Sequence, residues 1–377
     1  MSRKDEEKGT QSREVFIGEV EKHTSSPGPA TARAEQKARE TGRLHPLVDP
    51  AGYGVIRRSL PRFVQLPSGP WRLAVGTPIP VEVRLDTTGS MGGNVDIALR
   101  VLPDTYTLCS SVLPECDLQI AIGIFGDVLD MFVLCRPQFE MDARKIVEQL
   151  TLMVPERAGG DHTEDPQYGL FGAAYLTATY LERLGQKGYD FTVSDEDGRE
   201  WLGEDQLIRV FGNEIFDKVL ENGHQINRHH LPTTKEVVQD LLKRAHAFFL
   251  QVGDNSLVTK SWVEVFGANR VIALPSTELL PLVQAVIIGL TEGTLGLGQV
   301  ASFLTEQGVS QSDARQITRS VANIPIGAQM ALPNFARRPK PGALFREKTD
   351  LWPIDPNELA ESEPAADKDE DDGDTWL

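Results

Sequence analysis

The sequence predicts an α/β protein: a doubly wound, mostly parallel sheet with one antiparallel edge strand and helices on both faces. Three observations predict it. Runs of strand length and strand composition recur at 81–86, 118–127, 247–252 and 270–274. Segments with helical periodicity separate them, at 142–153, 166–184 and 233–246. The run LQIAIGIFGD is nearly continuous in apolar residues, as befits a central strand covered on both faces.

Taken in order, residues 1–44 are rich in Glu, Lys, Ser and Gly and predict a disordered segment. Residues 45–74, rich in Pro and Gly, predict an irregular lead-in to the core. VEVRLD (81–86) alternates as a strand does, and the glycine-bearing loop TTGSMGGN follows it. A helix is expected from about Gly93, split by Pro103. DMFVLCRPQF (130–139) follows the central strand after a short turn and predicts its antiparallel hairpin partner.

Pro166 suits the first turn of a helix expected to run on to Leu184. The mixed segment 185–231 predicts an insertion, which brings the α/β domain to 75–292. Thr233 or Thr234 is the expected N-cap of the next helix, and Ser276 caps another. Residues 293–335 predict a helical hairpin turning at Gly308, and 336–377 a linker and disordered acidic tail.

Charge narrows the function classes. Against 38 Lys and Arg stand 55 Asp and Glu, a formal net charge of −17. Ten of the acidic residues fall in 355–377, beside a single Lys368, so about half of the imbalance is the tail. No basic run offers itself to phosphate, which disfavours nucleic acid and anionic lipid as partners. Trp376 and Leu377 give the tail an apolar tip that could recruit a partner. Three cysteines, Cys109, Cys116 and Cys135, make no disulfide framework. With no apolar N-terminal stretch and no apolar run near the ~20 residues that span a bilayer, the expectation is a cytoplasmic protein, not a membrane one.

The chemistry concentrates in DTTGSMGG. Asp86, Thr88 and Ser90 stand at alternate positions after a strand, so a carboxylate and two hydroxyls can converge on one point. Such hard oxygen donors suit Mg²⁺, Mn²⁺ or Ca²⁺ rather than zinc. The competing reading is that Asp86 and Ser90 only cap the helix that follows. The histidines of ENGHQINRHH (His224, His229, His230) have no cysteine nearby and read as a solvated loop. The loop after Asp86 lacks the lysine of a phosphate-binding P-loop.

Strand, DTTGSMGG and helix together resemble the metal-ion-dependent adhesion site of the von Willebrand factor A (VWA) family, of pattern DxSxS, with Thr88 in place of the first serine. The resemblance covers about 200 residues of the α/β core and implies a Rossmann-like VWA fold. It further implies a threonine from a second loop, matched by Thr163 in AGGDHTEDP, and an aspartate after a later strand, matched by Asp254 in AFFLQVGDNS. Asp127 competes with Asp254 for that role, and Asp161, Glu164 and Asp165 stand where they would tune the field at Thr163. The implied activity is binding rather than catalysis: the Asp or Glu of a protein partner completes the shell of a divalent cation. Intracellular bacterial-type members imply an AAA+ ATPase, a kinase or a stress assembly as partner. Two alternatives come from other classes. One is an interaction protein that recruits through its acidic tail, with incidental metal. The other is a metal-dependent phosphotransfer enzyme using Asp86, although LDTTGS lacks the second aspartate of haloacid-dehalogenase-like phosphatases.

Overall fold

The computed structural model describes residues 29–67, 69–157 and 163–345. Its centre is a six-stranded sheet of order β12-β11-β9-β4-β5-β6. The strands are β4 (Pro78–Asp86), β5 (Asp117–Phe125), β6 (Leu134–Cys135), β9 (Gly188–Ser194), β11 (Ala245–Val252) and β12 (Val271–Leu274). All neighbours are parallel except β6, which pairs antiparallel with the end of β5. The expected class is therefore observed. The order reverses beside β4, and in open α/β sheets ligands bind beyond the carboxyl ends of the strands at such a switch point.

One face of β4 is conventional: Val81, Val83 and Leu85 are buried in the main apolar core with Ile120, Ile122, Phe191 and Leu250. Helices α2 (Asn94–Val101), α3 (Asp104–Val112) and α10 (Leu280–Glu292) bear on this core, through Val95, Ala98, Val112, Val283 and Ile287 among others. Pro103 occupies the N-cap of α3, so the expected split falls where proline removes a donor. The opposite face carries Glu82, Arg84 and Asp86, which are buried too. Arg136 donates to Glu82 at 2.9 Å, and Arg84 makes a paired bond to Asp190 of β9, one arm of it 2.8 Å. Helix α5 (Pro166–Tyr175) lies over these ions, every residue of it buried. A side chain at Gly169 would run into Arg84, and one at Gly172 would lie 3.0 Å from Arg136 Nε, so the two glycines make room for the guanidinium groups.

The remaining elements frame the sheet. Helix α4 (Ala143–Thr151) starts on the Asp142 side chain, and α8 (Thr234–Arg244) on a capping box between Thr233 and Glu236. Helix α9 (Ser256–Phe266) leads into the edge strand β12. The hairpin of α11 (Leu297–Glu306) and α12 (Gln311–Ser320) joins the core through Val300, Leu304 and Ile317.

Four expectations are corrected. Residues 185–231 are not simply an insertion, because they contain β9, the strand paired directly with β4; only α6 (Glu204–Phe211), α7 (Ile215–Glu221) and their loops elaborate the connection. The helix from Pro166 stops at Tyr175, and Thr177–Thr179 form β8, paired parallel with β1 (Arg57–Ser59). β-Branched Thr177 and Thr179 favour that extended turn of the chain. Residues Pro29–Thr41, expected to lack order, form helix α1, which Arg39 ties to Glu156 at 2.9 Å. The lead-in supplies β2 (Phe63–Gln65) and β3 (Trp71–Leu73), and β13 (Leu344–Phe345), within the expected tail, pairs with β3. The acidic tail from 346 onward, with Trp376 and Leu377, lies outside the described residues.

Candidate metal centre

Strand β4 ends on Asp86, and the chain turns at once into the loop that opens α2. Asp86 Oδ1 accepts from the Thr88 amide at 2.9 Å and from Thr88 Oγ1 at 2.7 Å. Its other oxygen accepts from Ser194 Oγ, at the end of β9, at 2.6 Å. Thr88 Oγ1 and Ser90 Oγ stand 3.2 Å apart, and Ser90 Oγ donates to Asp195 Oδ1 at 2.9 Å. A chain of oxygens thus runs from the fully buried Asp86 through Thr88 to the exposed Ser90 and half-buried Asp195. Helix α2 shows no side-chain cap at its first turn, so Asp86 and Ser90 are not spent on capping it.

The second loop approaches from β7 (Thr163–Glu164), which pairs in parallel with β10 (Asp197–Gly198). Thr163 is half-buried there and Glu164 is buried. Glu164 is pushed up to about 8, by burial first and then by the charge of Asp86. One of its oxygens, Oε2, is buried without a hydrogen-bond partner among the described residues. Burial likewise pushes Asp86 up to about 6, against the hydrogen bonds from Ser194 and Thr88. The nearby cations are committed elsewhere: Arg199 pairs with Asp127 and Asp165, and Arg157 with Asp96. The site therefore gathers acidic groups that repel one another.

Of the five residues read from the sequence, the structure brings together Asp86, Thr88 and Ser90, with Thr163 on the neighbouring loop. It does not bring Asp254 to them. Asp254 is exposed and follows β11, which is two places from β4, with β9 between. Asp195, after β9, takes that position, and with Ser194 it is the contribution the sequence reading missed. The signal was available: Tyr189, Phe191 and Val193 alternate with period two, directly before the acidic turn Asp195–Gly198. Asp127, the competing carboxylate, sits buried at the end of β5, accepting from the Leu129 amide and Arg199. Asp161 lies outside the described residues. His224 is bound by Arg244 at 2.6 Å, while His229 and His230 are exposed.

The donor set fits a hard divalent cation. Among the described residues no group of three or more His, Cys, Asp or Glu converges to hold a metal ion. What converges is two carboxylates, Asp86 and Asp195, with the hydroxyls of Thr88, Ser90 and Ser194, an all-oxygen set of the kind Mg²⁺, Mn²⁺ and Ca²⁺ prefer.

No known protein family profile matches the chain, and no curated protein matches it either. Among solved structures it is similar to proximal thread matrix protein 1 from the mussel byssus, at 11% identity over 57% of this chain and 48% of that one, with a TM-score of 0.35. It is similar to the same protein with a zinc-occupied MIDAS motif, at 12% identity over 58% and 46%, with a TM-score of 0.35. It is also similar to the vWF domain of the type V pili tip protein Mfa5 from Porphyromonas gingivalis, at 14% identity over 57% and 95%, with a TM-score of 0.36. The chain spans about half the length of the mussel protein. Among the described residues no helix is long and apolar enough to cross a membrane.

Proposed function

We propose that this chain is a VWA-like interaction module, which binds a divalent cation at the end of β4 and through it the carboxylate of a protein partner. The single observation that carries this is the oxygen chain Asp86–Thr88–Ser90–Asp195, in which two strands and the loop between β4 and α2 deliver two carboxylates and two hydroxyls to one edge of the sheet. Asp86, Thr88, Ser90 and Asp195 would hold the ion, with Thr163 on the adjoining loop. Mg²⁺ is the proposed ion, with Mn²⁺ or Ca²⁺ as chemically equivalent guests. Two carboxylates neutralise a divalent charge and no more, so the bound ion would keep an electrophilic position for an incoming carboxylate.

A binding role rather than catalysis is part of this proposal. The partner is taken to be a protein presenting Asp or Glu, of the AAA+ ATPase or kinase kind that the family resemblance implies, and the setting to be the cytoplasm. The test is calorimetric titration of Mg²⁺ and Mn²⁺ into the wild-type chain and Asp86→Ala. Binding by wild type with loss of at least a hundredfold in affinity in the variant is expected; undiminished binding by Asp86→Ala would overturn the site. Capture of the partner should then fail in chelator and return when the metal is restored.

A further inference from the structure

Between β9 and α6 the chain crosses the metal-bearing edge as a strap, residues 195–201. It is anchored at each step. Asp195 accepts from Ser90, and the Glu196 carbonyl accepts from the buried Trp262 indole at 3.0 Å. Asp197 and Gly198 pair with Thr163 and Glu164, and the Arg199 amide donates to the Glu164 carbonyl at 3.0 Å. The Glu200 carbonyl accepts from the Thr234 amide at 2.8 Å. The strap therefore carries one proposed ligand, Asp195, and lies alongside the loop that carries another, Thr163.

Arg199 adds an ion-paired joint that spans separate loops. Its Nη2 lies 3.0 Å from Asp127 Oδ2, on the loop after β5, and its Nε 3.2 Å from Asp165, just before α5. Both carboxylates are fully buried, while the guanidinium is 30% exposed. Each carboxylate is also held without Arg199: Asp127 within its own turn by the Leu129 amide at 2.7 Å, and Asp165 across the two loops by the Val128 amide at 2.7 Å. What Arg199 contributes beyond this is the tie from strap to loops. A planar fork suits it, since one guanidinium can meet two carboxylates that an ammonium would meet in turn.

We propose that Arg199 is a positioning residue of the metal centre, a clamp that fixes the strap against the loops that carry Asp127 and Thr163 and so holds Asp195 beside Ser90. The proposal rests on the metal-binding reading above and concerns a residue outside the donor set. A loop displaced by even ~1 Å degrades a preorganised site, so the clamp should register in metal affinity before it registers in folding.

The experiment uses the full chain with Mn²⁺ as the probe, read by calorimetry, and with melting of the metal-free protein as the folding control. Arg199→Gln is expected to bind Mn²⁺ at least tenfold more weakly, and Arg199→Lys about threefold more weakly. Asp127→Asn, which removes one anchor and no proposed ligand, should weaken binding severalfold. The double variant Arg199→Gln/Asp127→Asn should bind no more weakly than Arg199→Gln alone, because both act through one joint. Wild-type affinity in Arg199→Gln, or effects of the two substitutions that multiply, would overturn the clamp. Should Arg199→Gln fail to fold, the lysine variant and Asp127→Asn decide it, and wild-type affinity in both overturns it. A wild-type chain that takes up no Mn²⁺ overturns the metal reading itself, whereas uptake that persists unchanged in Arg199→Gln overturns only the clamp.

Discussion

Ser90 Oγ donates a 2.9 Å hydrogen bond to Asp195 Oδ1, joining residues 105 positions apart across the carboxyl edge of the sheet. That bond makes Asp195 the second carboxylate of the proposed centre. Asp195→Ala should lower Mn²⁺ affinity by at least one to two orders of magnitude, the range seen when only the hydrogen-bonded support of a metal ligand is lost. Asp254→Ala should leave it unchanged, since Asp254 follows a strand two places from β4 and faces solvent. Titration of both variants side by side checks the assignment, and a larger loss in the Asp254 variant would reverse it.

How far the sequence could be read depended on where polar residues fell. The strands rich in apolar residues, such as β5 and β11, were legible because a nearly continuous apolar run between turn residues suits a strand covered on both faces, and these runs are too short for a buried helix. Strand β9 was harder to read despite the alternation of Tyr189, Phe191 and Val193, since GYDFTVS buries Asp190 and Thr192 against Arg84, and a charge in a strand resembles a loop until its partner is known. Missing β9 moved the search for the second carboxylate one strand outward, to Asp254. The hydroxyl-bearing loop was legible from Asp86 to Ser90 because its donors are close in sequence. Arg199, Asp127 and Asp165 are joined only by the fold.

Asp86 and Glu164 should each withdraw stability from the metal-free chain as pH rises. Asp86, near 3.8 when unfolded, is held at about 6 by burial, and Glu164, near 4.5, at about 8 by burial and the Asp86 charge. Groups raised in the folded state bind more protons there, so their contribution is full below the unfolded pKa and is lost as pH rises through the folded one. For Asp86 the loss is on the order of 3 kcal/mol between about pH 4 and 7, at 1.36 kcal/mol per unit. His224 and His246, pushed down by burial to about 4 and about 3, act in the opposite sense below about pH 6.5, so the difference is what counts: in chelator, from pH 5 to 8, the wild-type chain should lose more melting temperature, or gain less, than Asp86→Asn and Glu164→Gln. Saturating Mn²⁺ should reverse the slope for wild type. Equal slopes in wild type and both variants would contradict the assignment.

The ions beneath α5 predict an asymmetry between single and paired substitutions. Arg84 and Asp190 are both about 1% exposed and paired, so removing one partner strands the other in the core. Arg84→Met should cost about 3–5 kcal/mol in urea unfolding. Replacing both by apolar residues should cost less than either single change, because no uncompensated charge remains. The midpoint shifts at constant m-value would establish this as stability rather than a changed unfolded state.

Gly198 predicts a coupling between packing and the metal centre. A methyl group at this position would lie 2.7 Å from Cη2 of Trp262 and 3.0 Å from the Pro166 ring, and neither neighbour is a flexible chain end. Trp262 is buried, stacks on Phe249 at 4.4 Å and hydrogen-bonds the Glu196 carbonyl, so it cannot easily yield. Gly198→Ala must therefore lift the strap, at a cost of about 1–3 kcal/mol for overpacking. Because β10 pairs with Thr163 and Glu164, the same displacement reaches the second loop of the centre. The expected outcome is a lowered melting temperature together with severalfold weaker Mn²⁺ binding, and with altered fluorescence from Trp262. A variant that melts earlier but binds Mn²⁺ as wild type does would show that the strap's packing and its part in the metal centre are independent.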